Sequence, residues 1–375
     1  MEKLSIRRIK ALVVKEFLQI KKDPSSLLIS GFLPILLLFL YGYGISFDLK
    51  HIKIGVVLED SSPLATSFVD CLKFSNYFDP LISRNKEFIE HELAKGRVKG
   101  FVVIPSYFST FFYDKDRIAP LQVVTDGSEP NTAILLQNYI KGAFLIWKKQ
   151  IALSKGELIS EGIELESRVW YNPSLDSRNY LIPGSLAIIL TLIGTLLTSL
   201  VIAREWERGT MESLIATPVK MKEFVLSKLI SYFVLGIFAF LLSVLLAKIV
   251  YGVPLKGSVF LLSIVGGTFL LSALGMGLMI STLFRNQFAA SQAAIVSAFL
   301  PSFFLSGFIY EVASMPKIIQ LFSSLISAKY FVSSLQTLFL VGVVGKLIFL
   351  NLTMMLIIGI LFLIIASKKT LKRLD

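Results

Sequence analysis

The sequence predicts an α-helical polytopic membrane protein: six transmembrane helices, with an α/β domain inserted on the outer side between the first and second spans. Three observations carry that prediction. Of 375 residues, 54% are hydrophobic and 17% are charged, with a mean hydropathy of +0.71; soluble chains ordinarily hold apolar residues to about 45–50%. Six stretches free of Asp, Glu, Lys, Arg and His approach or exceed the roughly 20 residues that cross a bilayer. Lys and Arg collect beside these stretches, above all near the two chain ends.

The elements follow in order. Residues 1–24 include "IRRIKALVVKEFLQIKKDP", which places Ile9, Leu12, Val13, Phe17 and Ile20 on one helical face and lysines elsewhere. Such a helix is expected to lie flat at the membrane interface, held by lipid. The first apolar run, 25–47, is long enough to span and reads as an uncleaved anchor. The remaining runs are 181–203, 229–247, 257–284, 288–310 and 347–367. Lys3, Arg7, Arg8, Lys10, Lys15, Lys21 and Lys22 precede the first span, and the basic tail 368–375 follows the last, which places both termini in the cytoplasm. An even number of spans results.

That parity decides how 311–342 is read. The stretch is apolar but broken by Pro316, Lys317, Lys329, Gln336 and several serines. A seventh span would put the basic tail outside, so re-entrant or interfacial helices on the outer side are expected. Glu311 and Lys329 become candidates for an outer gate, or mark the membrane boundary.

The segment 48–180 reads as an extracytoplasmic α/β domain. From 46 to 180 it carries 16 Lys and Arg against 17 Asp and Glu, near neutrality, as long translocated domains can be. "IKIGVVLE", "VKGFVVIP" and "LQVVTDG" alternate as strands; "SPLATSFVDCLK" and "KEFIEHELAKG" read as helices, and a longer helical pattern runs from Asn131 to about Leu158. Asp60, Ser61, Ser62, Asp126 and Ser128 fall at strand ends, where α/β folds bind ligands and where turn chemistry uses the same residues.

Several function classes are excluded or left without support. The net charge of +12 flanks apolar runs instead of forming stripes with aromatics, which argues against nucleic-acid binding. Cys71 stands alone, so no intrachain disulfide is expected, and His51 and His91 do not make a metal cluster unaided. Uncharged apolar stretches disfavour an ion-driven carrier.

The stretch between the second and third runs, 204–222, is unlike its surroundings. "AREWERGTMESLIATPVKMKEF" crowds five charges between Arg204 and Glu212, and three of them are acidic, which positive-inside placement does not explain. Gly209 can end the long helix, Thr210 can cap a new one with Glu212 in its first turn, and Thr217–Pro218 can serve as N-cap and N1 of the next. A short capped helix is expected there, facing the cytoplasm, stiff enough to transmit a push.

"NPSLDSRNYLIPGSLAIILTLIGTLLTSLVIAREWERGTMESLIATPVKMKEF", with "FFLSGFIY" and "MPK" further on, resembles the ATP-binding-cassette type 2 permease family over essentially the whole chain. Trp206 and Ser227 depart mildly from its pattern. The resemblance implies a bacterial inner-membrane exporter subunit moving an apolar or amphipathic substrate. It also implies a coupling helix held in a cleft of a cytoplasmic ATPase by Arg204, Glu205, Glu207, Arg208, Gly209, Thr210, Glu212, Thr217 and Pro218. Two permease chains, identical or different, would pair with two ATPases, and a periplasmic adaptor could dock outside. No G-x-x-x-x-G-K-[ST] phosphate loop occurs in the sequence, so ATP and Mg²⁺ are expected on the partner and no cofactor on this chain. Two rivals stay open: a receptor using the outer domain, and a protein that transmits force to an outer partner with no cargo crossing.

Overall fold

The computed structural model describes residues 5–44, 51–114, 120–128, 130–154, 170–172 and 176–370. The chain divides into two compact units, Phe47–Ser167 and a helical unit made of Met1–Ser46 with Arg168–Asp375.

The smaller unit is built on a four-stranded sheet of order β2-β1-β3-β4, with β1 Ile52–Leu58, β2 Phe78–Ser83, β3 Gly100–Ile104 and β4 Gln122–Thr125. β1 runs parallel to both β2 and β3, and β4 is antiparallel to β3. Alternating side chains feed two cores. Phe68, Val102, Ile104, Phe108 and Trp147 pack on one face, and Val57, Ile89, Phe101 and Val103 on the other. The sequence patterns marked β1, β3 and β4 but not β2, because "FDPLIS" contains Pro80; an edge strand tolerates a residue that lacks an N–H. A short helix, Phe108–Tyr113, follows β3 without a marked sequence pattern. The long helical pattern appears as Pro130–Ser154, and its expected continuation to Leu158 lies outside the described residues.

Asp60 and Asp126 act in turns. Asp60 is 5% exposed and its carboxylate accepts the backbone N–H groups of Ser62 (2.8 Å) and Ser109 (2.9 Å), while Ser62 caps the helix Pro63–Lys73. Asp126 accepts the N–H of Ser128 at 2.9 Å.

Among the described residues of the helical unit, six helices are long and apolar enough to cross a membrane: Pro24–Gly44, Arg178–Glu207, Met221–Tyr251, Val259–Leu283, Gln287–Leu305 and Gly345–Lys369, called spans one to six. The second, third and sixth helices run past the apolar stretches, because backbone hydrogen bonding continues to the first cap after hydropathy has ended. Ionisable residues absent from the apolar cores therefore ride on the helix ends, among them Arg204, Glu205, Glu207, Glu223 and Lys228.

The second span is the axis of the unit. In its most apolar window 89% of residues are buried, against 22–56% for the other five. Close approach explains how the fourth span reaches it: a Cβ on Gly277 would lie 2.5 Å from the Thr195 carbonyl oxygen. Thr198 Oγ1 donates across the same contact to the Leu274 carbonyl at 3.0 Å.

Residues 311–342 form a bent pair, Lys317–Ser324 and Ser327–Val341, at 89°. The first arm exposes Ile318, Leu321 and Phe322, and the second buries Phe331 and Leu335, with Phe331 stacked on Phe269 at 4.1 Å. Lys329 lies over the Tyr330 ring, and among the described residues no ion pair joins it to Glu311.

Candidate coupling site

The second span ends at Glu207, and Gly209 takes a left-handed conformation (φ +67°) that turns the chain. A six-residue helix, Thr210–Ile215, follows with Glu212 in its first turn, where a carboxylate favours the helix dipole. Met211 is fully buried and Leu214 packs against the same core, so this short helix is seated on the bundle.

Two capping expectations are corrected. Gly209, not Thr210, occupies the N-cap, and the Thr210 hydroxyl instead donates to the Glu205 carboxylate. Thr217 and Pro218 do not start the third span. Thr217 Oγ1 bonds back to the Leu214 carbonyl at 2.7 Å, and the third span begins at Met221 with Lys220 as N-cap. The reason is Glu223, whose carboxylate accepts the Lys220 N–H at 3.1 Å and the Ser5 N–H at 2.8 Å and pairs with Arg8 at 3.1 Å. Arg8 also donates to the Pro218 carbonyl at 2.7 Å.

The charged residues divide by direction. Arg204 and Glu205 are 5% and 2% exposed, so in this conformation they face the bundle and not a surface cleft. Arg204 pairs with Asp23 and donates from Nε to Gln287 Oε1 at 3.1 Å. Glu205 Oε1 receives Lys228 Nζ at 2.7 Å and Lys15 Nζ at 3.1 Å, and Lys228 also meets Glu16 Oε2 at 2.6 Å. Three acids and three bases thus join the N-terminal helix Ile6–Lys21, the first-span cap and the second and third spans. Burial alone would raise the Asp23 carboxyl, but hydrogen bonds from Ser26, Ser25 and Arg204 and the Arg204 charge hold it well below the usual carboxylate range.

Glu207, Arg208, Gly209, Thr210, Glu212 and Pro218 are exposed, and Thr217 is half-buried. Glu207 is partly engaged, accepting the backbone and side-chain N–H groups of Gln287 at 3.1 and 3.0 Å. Arg285 covers the Trp206 ring at 4.8 Å, which fills the position where the sequence departs from the family pattern.

Sequence reasoning missed Glu16, Asp23, Lys228 and Gln287 as parts of this site. One signal was present: Glu16 falls on the face that carries Ile9, Leu12, Val13 and Ile20, an acid among apolar neighbours that requires a cation. Phe17, expected on that face, is 39% exposed instead.

Comparison with known proteins now decides the family. The profile described as ABC-2 family transporter protein matches residues 24–368, nearly the full chain. The chain belongs to the ABC-2 transporter family. It is 45% identical to the probable multidrug ABC transporter permease YbhS of Escherichia coli K12, over 99% of both chains. Identity to the probable multidrug ABC transporter permease YbhR of the same organism is 26%, over 82% of this chain and 83% of that one. Identity to its inner membrane transport permease YhhJ is also 26%, over 85% of each. With its six apolar helices, this ABC-2 family member is a multi-pass membrane protein, and the buried ion cluster lies where two of those helices meet the short helix.

Proposed function

We propose that this chain is the permease subunit of an ATP-driven exporter of the bacterial inner membrane, with the Thr210–Ile215 helix on the cytoplasmic face as the seat of a separate ATPase. One observation carries the reading: the short helix turns Glu212 and Ser213 outward, next to exposed Arg208 at the end of the second span, while Met211 and the Thr210–Glu205 bond fasten it to the bundle. A contact made on the exposed face of the short helix therefore reaches the central second span through the Thr210 hydroxyl on Glu205 and through the packing of Met211 and Leu214. ATP and Mg²⁺ belong to the partner in this reading, and two permease chains form the pathway.

The nine candidate residues keep different roles. Glu207, Arg208 and Glu212 meet the ATPase, Gly209 and Pro218 set the helix's geometry, and Arg204, Glu205, Thr210 and Thr217 hold it from within. The names of the YbhS and YbhR relatives include multidrug transport, which supports an apolar or amphipathic cargo. Release would run outward, past the bent pair and the Glu311–Lys329 region.

The test is co-purification of the ATPase with Arg208→Glu and Glu212→Arg variants in lipid nanodiscs. Both should reduce ATPase capture at least about tenfold, as reversed charges do in a complementary interface, while the thermal melt of the permease is unchanged. Full capture by both variants refutes the assignment.

A further inference from the structure

The first and fifth spans carry a matching Ser-x-Phe-Leu-Pro sequence at the same structural fault. Residues 29–34 read "ISGFLP" and residues 296–301 read "VSAFLP". Each holds a five-residue π-turn, Leu28–Phe32 in one and Ile295–Phe299 in the other, and each turn ends two residues before its proline, Pro34 or Pro301.

Physical chemistry explains the match. A proline inside a helix lacks an N–H, and its ring collides with the carbonyl four residues earlier, here that of Ser30 or Ser297. Inserting one residue as a π-turn moves that carbonyl aside without breaking the helix. Both serines add the same local bond, donating to the carbonyl four back: Ser30 to Ser26 at 2.9 Å and Ser297 to Ala293 at 2.5 Å. Such back-bonding favours a bend. The third π-turn, Thr337–Val341, has no proline and simply closes its helix at Gly342, so the device belongs to two spans.

The two faults also share neighbours. Both π-turns pack against the second span, the helix that continues into Gly209 and the short helix. Seven residues after each proline stand Tyr41, inside the first-span helix, and Phe308, in the turn just past the end of the fifth span at Leu305; their rings meet edge to face at 5.8 Å, with Phe303 of the fifth span beside both. Beside the fifth-span turn lies a small cavity of about 60 Å³ lined by Thr191, Thr195, Ser297, Ala298 and Pro301, free volume into which the turn can move.

We propose that spans one and five are a coupled pair of hinged helices, each bending at its Ser-x-Phe-Leu-Pro π-turn and held in step by Tyr41 against Phe308. The hinge itself stands apart from the permease reading. Its use in transport rests on that reading, with displacement of the second span as the driver.

The test is hydrogen exchange with mass-spectrometric readout on the full chain in nanodiscs, without ATPase or ligand, comparing wild type with Pro34→Ala and Pro301→Ala. Alanine restores the N–H and lets an α-helix propagate, so both variants should fold. Exchange at 28–32 should slow about tenfold in Pro34→Ala, as expected when a local opening is closed, and exchange at 295–299 should slow in the same variant. Pro301→Ala should show the reciprocal pair of effects. Tyr41→Leu added to either variant should abolish the remote effect and keep the local one. A proline variant that alters only its own turn, or neither turn, overturns the coupled hinge, whatever the fate of the ATPase-capture experiment above.

Discussion

Replacing Lys228 by Met tests the buried ion cluster most directly. Lys228 Nζ lies 2.6 Å from Glu16 and 2.7 Å from Glu205, and none of the three side chains is more than 3% exposed. The substitution keeps the aliphatic stem and removes the one cation between two carboxylates. Glu16 then loses its basic partner, while Glu205 retains Lys15 at 3.1 Å, a lysine 45% exposed and so weakly effective. Breaking a buried pair costs about 3–5 kcal/mol, and the residual Lys15 contact places the expected loss near about 3 kcal/mol. At about 2 °C per kcal/mol for a unit of this size, the melting temperature should fall by about 6 °C. The measurement is a tryptophan-fluorescence melt of the chain in nanodiscs, with the triple variant Lys228→Met, Glu16→Gln, Glu205→Gln beside it. Neutralising all three should recover all but about 1 kcal/mol of the loss, because a buried ion triad replaced as a set is close to neutral. A loss below about 1 kcal/mol for Lys228→Met alone is the signature of a hydrated surface pair and refutes the buried-cluster argument.

Two further outcomes are expected. Gly209→Ala should cost about 1–2 kcal/mol through backbone strain alone, since its φ is +67° and a Cβ there meets nothing within 4 Å; a melt unchanged from wild type would remove the left-handed turn from the argument. For Asp60, burial alone would raise the carboxyl, but hydrogen bonds from Ser109 and Ser62 outweigh it and hold it below the usual range. A depressed folded-state pKa contributes stability that is complete above the unfolded value of about 3.9 and is lost as pH falls below it. The protection of the Ser62 and Ser109 amides, taken relative to the intrinsic exchange rate at each pH, should therefore fall below about pH 4 in the wild type, and Asp60→Asn should flatten that dependence; equal protection profiles would refute it.

Much of the fold was legible because a bilayer and a half-buried sheet each impose one strong period or length. Runs of uncharged residues located the six helices, and alternation located β1, β3 and β4. The short helix was legible too, from Gly209 and the position of Glu212. What escaped were features that depend on distant chain segments. Thr217–Pro218 has the local form of a helix start, but Glu223, fixed by Ser5 and Arg8 more than 200 residues away, begins the helix at Met221. Glu205 belongs to a dense surface-like charge run, yet helical rotation turns it and Arg204 toward Lys228, Lys15 and Asp23. Composition shows a run of mixed charge; only the packing reveals which of those charges turn inward and with which partners they pair.

That separation of inward and outward charge leads to a final prediction, at Thr210. Its hydroxyl joins the short helix to Glu205, and Glu205 in turn holds Lys228 of the third span and Lys15 of the N-terminal helix. Apolar contacts such as those of Met211 tolerate sliding, whereas a hydrogen-bonded ion cluster has one preferred register. If an ATPase pushes on the exposed face, Thr210 is the point where the push enters that cluster. Thr210→Val keeps the shape, leaves Arg208 and Glu212 in place, and removes one hydrogen bond to a charged group, worth about 1.5–3 kcal/mol. ATPase capture should stay within about twofold of wild type, while the stimulation of ATP hydrolysis by the permease should fall at least about tenfold, the rate equivalent of about 1.4 kcal/mol. Valine keeps the branched shape of this exposed position, so loss of capture would mean that Thr210 belongs to the docking face. Undiminished stimulation would mean that force bypasses Glu205, and the cluster would then serve stability alone.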